Sequence, residues 1–127
     1  MKLFTKSIFD RLVKNHKEQD GTKSFKVVVK LFNPIGNETW YLSELNPETN
    51  IAFGLCCMSH KEYGYVDINE LINLRLKYPL VLEGAGNNRL ICPPLIYKIE
   101  RDKYFESNKK TLEECRSLWP SNQIKQI

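Results

Sequence analysis

FKVVVKLF (residues 25–32), TWYLSEL (39–45) and IAFGLCCM (51–58) are the stretches on which the fold turns. In extended chain, successive side chains point to opposite faces. The first stretch therefore sets Phe25, Val27, Val29 and Leu31 against Lys26, Val28, Lys30 and Phe32, which predicts one core face and one face at least half wet. NPIGN (33–37) reads as a turn, since Pro34 fixes φ and Gly36 tolerates positive φ. NPETN (46–50) is a second turn, and the strand after it aligns Ile51, Phe53, Leu55 and Cys57 on one side. Connections this short leave neighbouring antiparallel pairing as the default, because a parallel crossover needs a dozen residues or more. After a loop of Ser59, His60, Lys61 and Glu62, residues 63–66 continue the meander as a fourth strand.

Helices flank this core. Over residues 3–16, Phe4, Ile8 and Leu12 with Phe9 and Val13 recur once per helical turn and leave lysines opposite, which predicts an amphipathic helix ending toward Asp20 and Gly21. Asp67 stands at an N-cap position with Glu70 three residues on, so a short helix should carry Ile68, Leu71 and Ile72 inward. Thr111 with Glu114 matches a capping box and opens a last helix through Leu112, Cys115, Leu118 and Trp119 to Pro120. Residues 76–96 are less regular. Two apolar runs around the glycine- and asparagine-rich 84–88 suggest an irregular hairpin, Pro93 and Pro94 confine pairing to an edge, and residues 96–99 lead as a strand into Glu100, Arg101 and Asp102. The expectation is an α+β fold in one domain, residues 1–127. It consists of an antiparallel β-meander of four or more strands with an N-terminal helix, a short helix after the fourth strand and a C-terminal helix.

Composition agrees with a packed domain: of 127 residues, 42% are hydrophobic and 27% charged, far from the signature of disorder. The first stretch, MKLFTKSIFDRLVK, meets Lys6, Asp10 and Arg11 before an apolar leader core can build up, and no apolar run is long enough to span a bilayer. Adjacent Cys56 and Cys57 suit a reducing compartment, so a cytoplasmic protein without membrane contact is expected. Net charge is +4, and the basic excess lies in residues 1–30, where eight lysines and arginines face Asp10, Glu18 and Asp20. That asymmetry can draw a polyanion, and Lys6, Lys14, Lys26 and Lys30 are the residues that would meet it. No arginine cluster or interleaved aromatics accompany them, so a solvated lysine-rich surface is the simpler explanation.

Catalytic signatures are absent. Cys56, Cys57 and His60 form C-C-x-x-H, but only distant residues could complete a metal shell, and nothing marks an orienting acid for a thiol nucleophile. The glycines at 84–88 lack the Lys-Ser/Thr of a phosphate loop and read as a turn. No cofactor is implied. Glu100, Arg101 and Asp102 end an apolar strand, where they can form an ion-pair network or, with Glu44 or Glu62, a carboxylate site. Trp40, Tyr41, Tyr63, Tyr65 and Tyr97 offer aromatic surface for stacking or for core packing.

The order of the N-terminal helix, VKLFNP, TWYLSEL, FGL, EYGYV with Glu62 and Gly64, NEL and IERDKYF resembles domain-of-unknown-function family 2958, small proteins of bacterial plasmids, integrated elements and phages. The resemblance covers roughly residues 3–119 and rests above all on EYGYV paired with IERD-x-x-F. Members of that family pass more briefly from the helix after the fourth strand to the ERD segment, so residues 76–95 read as an insertion. The resemblance implies a mobile-element setting and no reaction.

The leading expectation is a non-catalytic binding module for a host or element-encoded protein, in a setting of defence or counter-defence. Its candidate binding residues are Trp40, Glu44, Glu62, Tyr63, Gly64, Glu100, Arg101 and Asp102. The alternatives are a nucleic-acid binder using the four lysines above and a small enzyme built on Glu62, Glu100 and Asp102. Glu62, Glu100, Arg101 and Asp102 are expected to lie close together, bordered by Trp40 and Glu44.

Overall fold

A computed structural model describes residues 2–78, 81–83, 89–91 and 95–118. In chain order the elements are α1 (Lys6–Glu18), β1 (Val29–Phe32), β2 (Thr39–Asn46), β3 (Ile51–Cys57), β4 (Lys61–Asp67) and α2 (Ile68–Asn73), then β5 (Leu76–Tyr78), β6 (Val81–Glu83), β7 (Arg89–Ile91), β8 (Leu95–Tyr97), β9 (Glu100–Arg101) and α3 (Leu112–Leu118). The expected α+β architecture is present, and the meander gains a fifth strand. The main sheet runs β4-β3-β2-β1-β9, with every pairing antiparallel. The irregular hairpin expected around 84–88 is the β6–β7 pair, and β5 pairs separately with β8. The turn residues 84–88, the Pro93-Pro94 step and Trp119 lie outside the described residues.

Each helix starts where side-chain oxygens can replace missing backbone acceptors. Thr5 Oγ1 accepts from the Ile8 amide at the head of α1, and Asp67 Oδ1 accepts from the Asn69 amide at the head of α2. The capping box of α3 closes in both directions: Glu114 N–H donates to Thr111 Oγ1 while Thr111 N–H donates to Glu114 Oε1.

Both faces of the sheet are covered. On one, Val29, Leu31, Trp40, Leu42 and Ala52 bury against Leu12 of α1 and its neighbours Ile8, Phe9 and Val13. On the other, Val27, Tyr41, Leu55 and Cys57 pack with Leu112 and Cys115 of α3 and with Phe105. This corrects the expectation of a half-wet face for the first strand, because the chain returning after β9 closes over it. The alternation also slips there. Val27 belongs to the α3 side while both Val28 and Val29 belong to the α1 side, and the ladder of β1 begins only at Val29.

A β-bulge in β2 decides which face its later residues meet. Pairing steps from Leu42↔Gly54 directly to Glu44↔Phe53, so Ser43 is the extra residue. A bulge moves every later side chain to the opposite face from the one strict alternation predicts. Leu45 thereby enters the α1 core, and Glu44 leaves it. The bulge carbonyl is satisfied by a buried side chain of α1: Asn15 Nδ2 donates to Ser43 O at 2.9 Å.

The paired glycines Gly54 and Gly64 face each other across β3 and β4. A Cβ at Gly54 would sit 1.9 Å from Tyr41 O and 2.8 Å from Leu42 Cα, both backbone atoms that cannot move aside alone. A Cβ at Gly64 meets nothing within 4 Å. Gly54→Ala should therefore lose about 1–3 kcal/mol in urea unfolding, the usual range for forced overpacking. Gly64→Ala should stay within about 0.5 kcal/mol of the parent. Equal midpoints for the two variants would refute this account of the β2–β3 contact.

Candidate functional site

The sheet order separates the residues that were expected to cluster. Arg101, Leu31, Trp40, Cys56 and Glu62 occupy one row across the five strands, and facing residues of such a row share a face. Arg101 and Glu62 are its two ends. Four inter-strand steps of roughly 4.8 Å put them about 19 Å apart. Between them Trp40 is buried under α1, so it borders no site. The reason is topological: β9 pairs with β1, while Glu62 lies on β4 at the far edge. A catalytic centre combining Glu62 with Glu100 and Asp102 is thereby ruled out.

Asp102 has a different task. Its backbone N–H donates to Lys30 O, and its Oδ2 lies 3.4 Å from Lys30 Nζ. Lys30 is 1% exposed, with its ammonium 5.8 Å from the centre of the Tyr41 ring. This is a correction to the basic strand face: Lys30 points into the α3-side core and is balanced there by Asp102, out of reach of any polyanion. Lys6, Lys14 and Lys26 are exposed. Near Lys14, however, Asp10 and Glu18 line the same shallow groove of α1.

The bulge delivers Glu44 to a cleft of about 820 Å³ on the α3 side of the sheet. Its floor is Phe53, Tyr63 and Tyr65. Its walls are the end of α1 with the connector after it, including His16, Gln19 and Lys23, and the start of α3 with Glu113. Glu44 is 8% exposed and accepts from Gln19 Nε2 at 3.0 Å. Tyr63 donates its hydroxyl to Glu113 Oε2, and the Arg116 guanidinium lies 5.7 Å from the centre of its ring. The hydrogen bond to Glu113 raises the Tyr63 hydroxyl above its ordinary pKa, with partial burial adding to the effect. Tyr65 packs on Phe53 at 5.2 Å between centroids yet is 75% exposed.

Of the candidate binding residues, then, Glu44 and Tyr63 share this cleft. Glu62 and Gly64 alternate with the tyrosines on the same strand and project to the other face. Glu100 and Arg101 line a separate cleft at the opposite edge. His16, Gln19, Phe53 and Glu113 were missed as site residues. The period-two placement of Tyr63 and Tyr65 and the capping box that starts α3 just before Glu113 were the signals available; nothing local announces that α1 and α3 converge there.

The outer edge of β4 is open among the described residues. Its ladder to β3 is continuous over all seven residues, with no bulge and no proline, and no strand pairs with its other side. Alternate backbone N–H and C=O groups of such a strand point outward.

The three described cysteines, Cys56, Cys57 and Cys115, are packed into the fold. Cys56 and Cys57, adjacent in β3, point to opposite faces, and His60 is exposed beyond the strand end, so the three cannot converge on a metal. No group of three metal-ligating side chains occurs among the described residues, and no helix there is long and apolar enough to cross a membrane. Burial pushes the thiols of Cys57 and Cys115 up to about 11. Burial, with the Glu62 carboxylate adding, raises Cys56 as well.

The chain belongs to a family described as Protein of unknown function (DUF2958), whose match spans residues 3–85. The match takes in α1, the four meander strands, α2, β5 and β6, so it reaches into the stretch 76–95 read as an insertion, and it ends before IERDKYF at 99–105. No curated protein and no solved structure matches the chain.

Two outcomes follow from this geometry. Asp102→Ala strands a buried ammonium and should cost about 3–5 kcal/mol in chemical denaturation, whereas the double variant Lys30→Met/Asp102→Ala should recover much of that loss. A double variant no more stable than Asp102→Ala would remove the ion pair as the cause. Burial holds the Cys57 and Cys115 thiols in the protonated, unreactive form at pH 8. A disulfide reagent should leave both unlabelled in the folded protein and label both in guanidinium, as mass spectrometry of peptides will show.

Proposed function

We propose that the protein is a non-catalytic binding module that takes an extended segment of another protein onto the outer edge of β4. The observation that carries this reading is the coincidence of that open seven-residue edge with the aromatic cleft directly beside it. An added strand gains main-chain hydrogen bonds along β4, and every second side chain of the segment then falls toward the cleft. There it meets Tyr65, Phe53 and the carboxylates of Glu44 and Glu113. Aromatic faces beside carboxylates suit a lysine or arginine side chain, by cation–π attraction and charge-assisted hydrogen bonding together. The same carboxylates repel phosphates, which favours a protein over a nucleic acid at this surface. The mobile-element setting implied by the family resemblance makes a host or element-encoded protein the natural source of the segment.

Heptapeptides selected by display against the purified protein should be enriched in sequences alternating apolar residues with lysine or arginine. Their binding should slow hydrogen exchange at alternate β4 amides and should weaken by roughly tenfold, about 1.4 kcal/mol, on Tyr65→Ala. Selected peptides that leave β4 exchange unchanged, or that bind the Tyr65→Ala variant equally well, refute the assignment. A concentration-dependent dimer that protects the same amides would instead assign the edge to a second copy of the chain.

A further inference from the structure

At the opposite end of the sheet, the N-terminal segment, the end of α2, β8 and β9 enclose a cleft of about 770 Å³. That volume falls within the range of small-molecule sites. Its charge is one-sided. Lys2, Arg75, Lys98 and Arg101 line it against one carboxylate, that of Glu100. Asp102, next in the chain, does not offset Arg101, because its Oδ2 is paired with Lys30 and its Oδ1 accepts from the Tyr104 amide. Arg101 Nη1 is buried and has no hydrogen-bond partner among the described residues. The Arg101 guanidinium has no ion pair among the described residues, so an anion entering the cleft meets an uncompensated positive charge there. Arg75 is held at the other side of the cleft, where its Nη1 donates to Ile72 O and Leu74 O, both at 3.1 Å.

The remaining lining is apolar. Phe4 and Ile99 contribute to the walls, while Ile72 and Ile96 are 41% and 60% exposed. Cations alone would suit an inorganic anion, and apolar walls alone a hydrocarbon. Their combination selects a molecule that carries both features. We infer that this cleft is a second binding site, distinct from the β4 edge, for a small organic anion: a carboxylate or phosphate head on an apolar or aromatic body. The head accepts from Arg101 and Arg75, and the body covers Ile72, Ile96 and Phe4. Each half of such a ligand answers a separate property of the cleft, and neither half should bind well without the other.

The test uses the full chain and four probes followed by amide chemical shifts: phenyl phosphate, 3-phenylpropanoate, the neutral 3-phenylpropan-1-ol and inorganic phosphate. Both aromatic anions should shift the amides of Leu3, Phe4, Ile99 and Arg101 saturably, and the stronger of the two identifies the head group the site prefers. The alcohol and inorganic phosphate should each bind roughly tenfold more weakly or worse. Arg101→Gln and, separately, Arg75→Gln should weaken the anions by a similar factor without changing the thermal unfolding midpoint. If Arg101→Gln fails to fold, Arg75→Gln carries the test, since that side chain is exposed. The proposal is overturned if neither anion gives saturable shifts at these amides, if the alcohol or inorganic phosphate binds as tightly as the anions, or if the folded variants bind like the parent.

Discussion

The hydrogen bond from Asn15 to the carbonyl of Ser43 is the joint on which the rest of the structure turns. It couples the N-terminal helix to the one irregularity in the central strand. Without the extra residue at Ser43, Glu44 would share a face with Trp40 and Leu42 and enter the apolar layer under α1. Leu45 would point to the cleft instead. A buried carbonyl left bare costs about 1–3 kcal/mol, and a carboxylate in an apolar layer costs more. The bulge and the asparagine therefore stabilise each other: one exposes a carbonyl that the other satisfies, and together they place a carboxylate where Gln19 can reach it.

With α1 over the centre of one face of the sheet and α3 over the centre of the other, the surfaces left for recognition are its edges and the clefts beside them. They differ in chemistry. The β4 edge is long, regular and flanked by tyrosines and carboxylates, whereas the β9 edge is two residues long and flanked by arginines and lysines. The buried Lys30–Asp102 pair keeps them distinct. By tying the chain after β9 to the middle of β1, it occupies Asp102 and leaves Arg101 without that acid as a counter-charge. An ion pair of this kind contributes little net stability compared with an apolar replacement, and its value here is positional.

The strands and caps were legible because each rests on local chemistry. Period-two alternation marked 39–45 and 51–58, Asp67 announced α2, and Thr111 with Glu114 announced α3. Alternation misled where the chain departs from it. Lys30 looked like an outward lysine in FKVVVKLF, but outward holds only for a strand with one covered face. Trp40 and Glu44 look like neighbours on one face, since they are four residues apart, until Ser43 is counted as a bulge. The ERD segment was noticed for its charges but expected beside Glu62, because an edge strand of two residues carries no sign of which strand it will join.

Sequence by itself determined the three helices, the four meander strands, their order and their antiparallel pairing, since turn residues, caps and side-chain periodicity act over a few neighbouring positions. Tertiary structure alone decided what those elements expose. It set β9 against β1, brought the end of α1 and the start of α3 together over Glu44, and so divided one expected cluster of charged residues between two edges about 19 Å apart. The physical reason is that pairing at a sheet edge and convergence of helices are won by burial and hydrogen bonding between segments far apart in the chain, and such contacts leave no periodic trace in either segment alone.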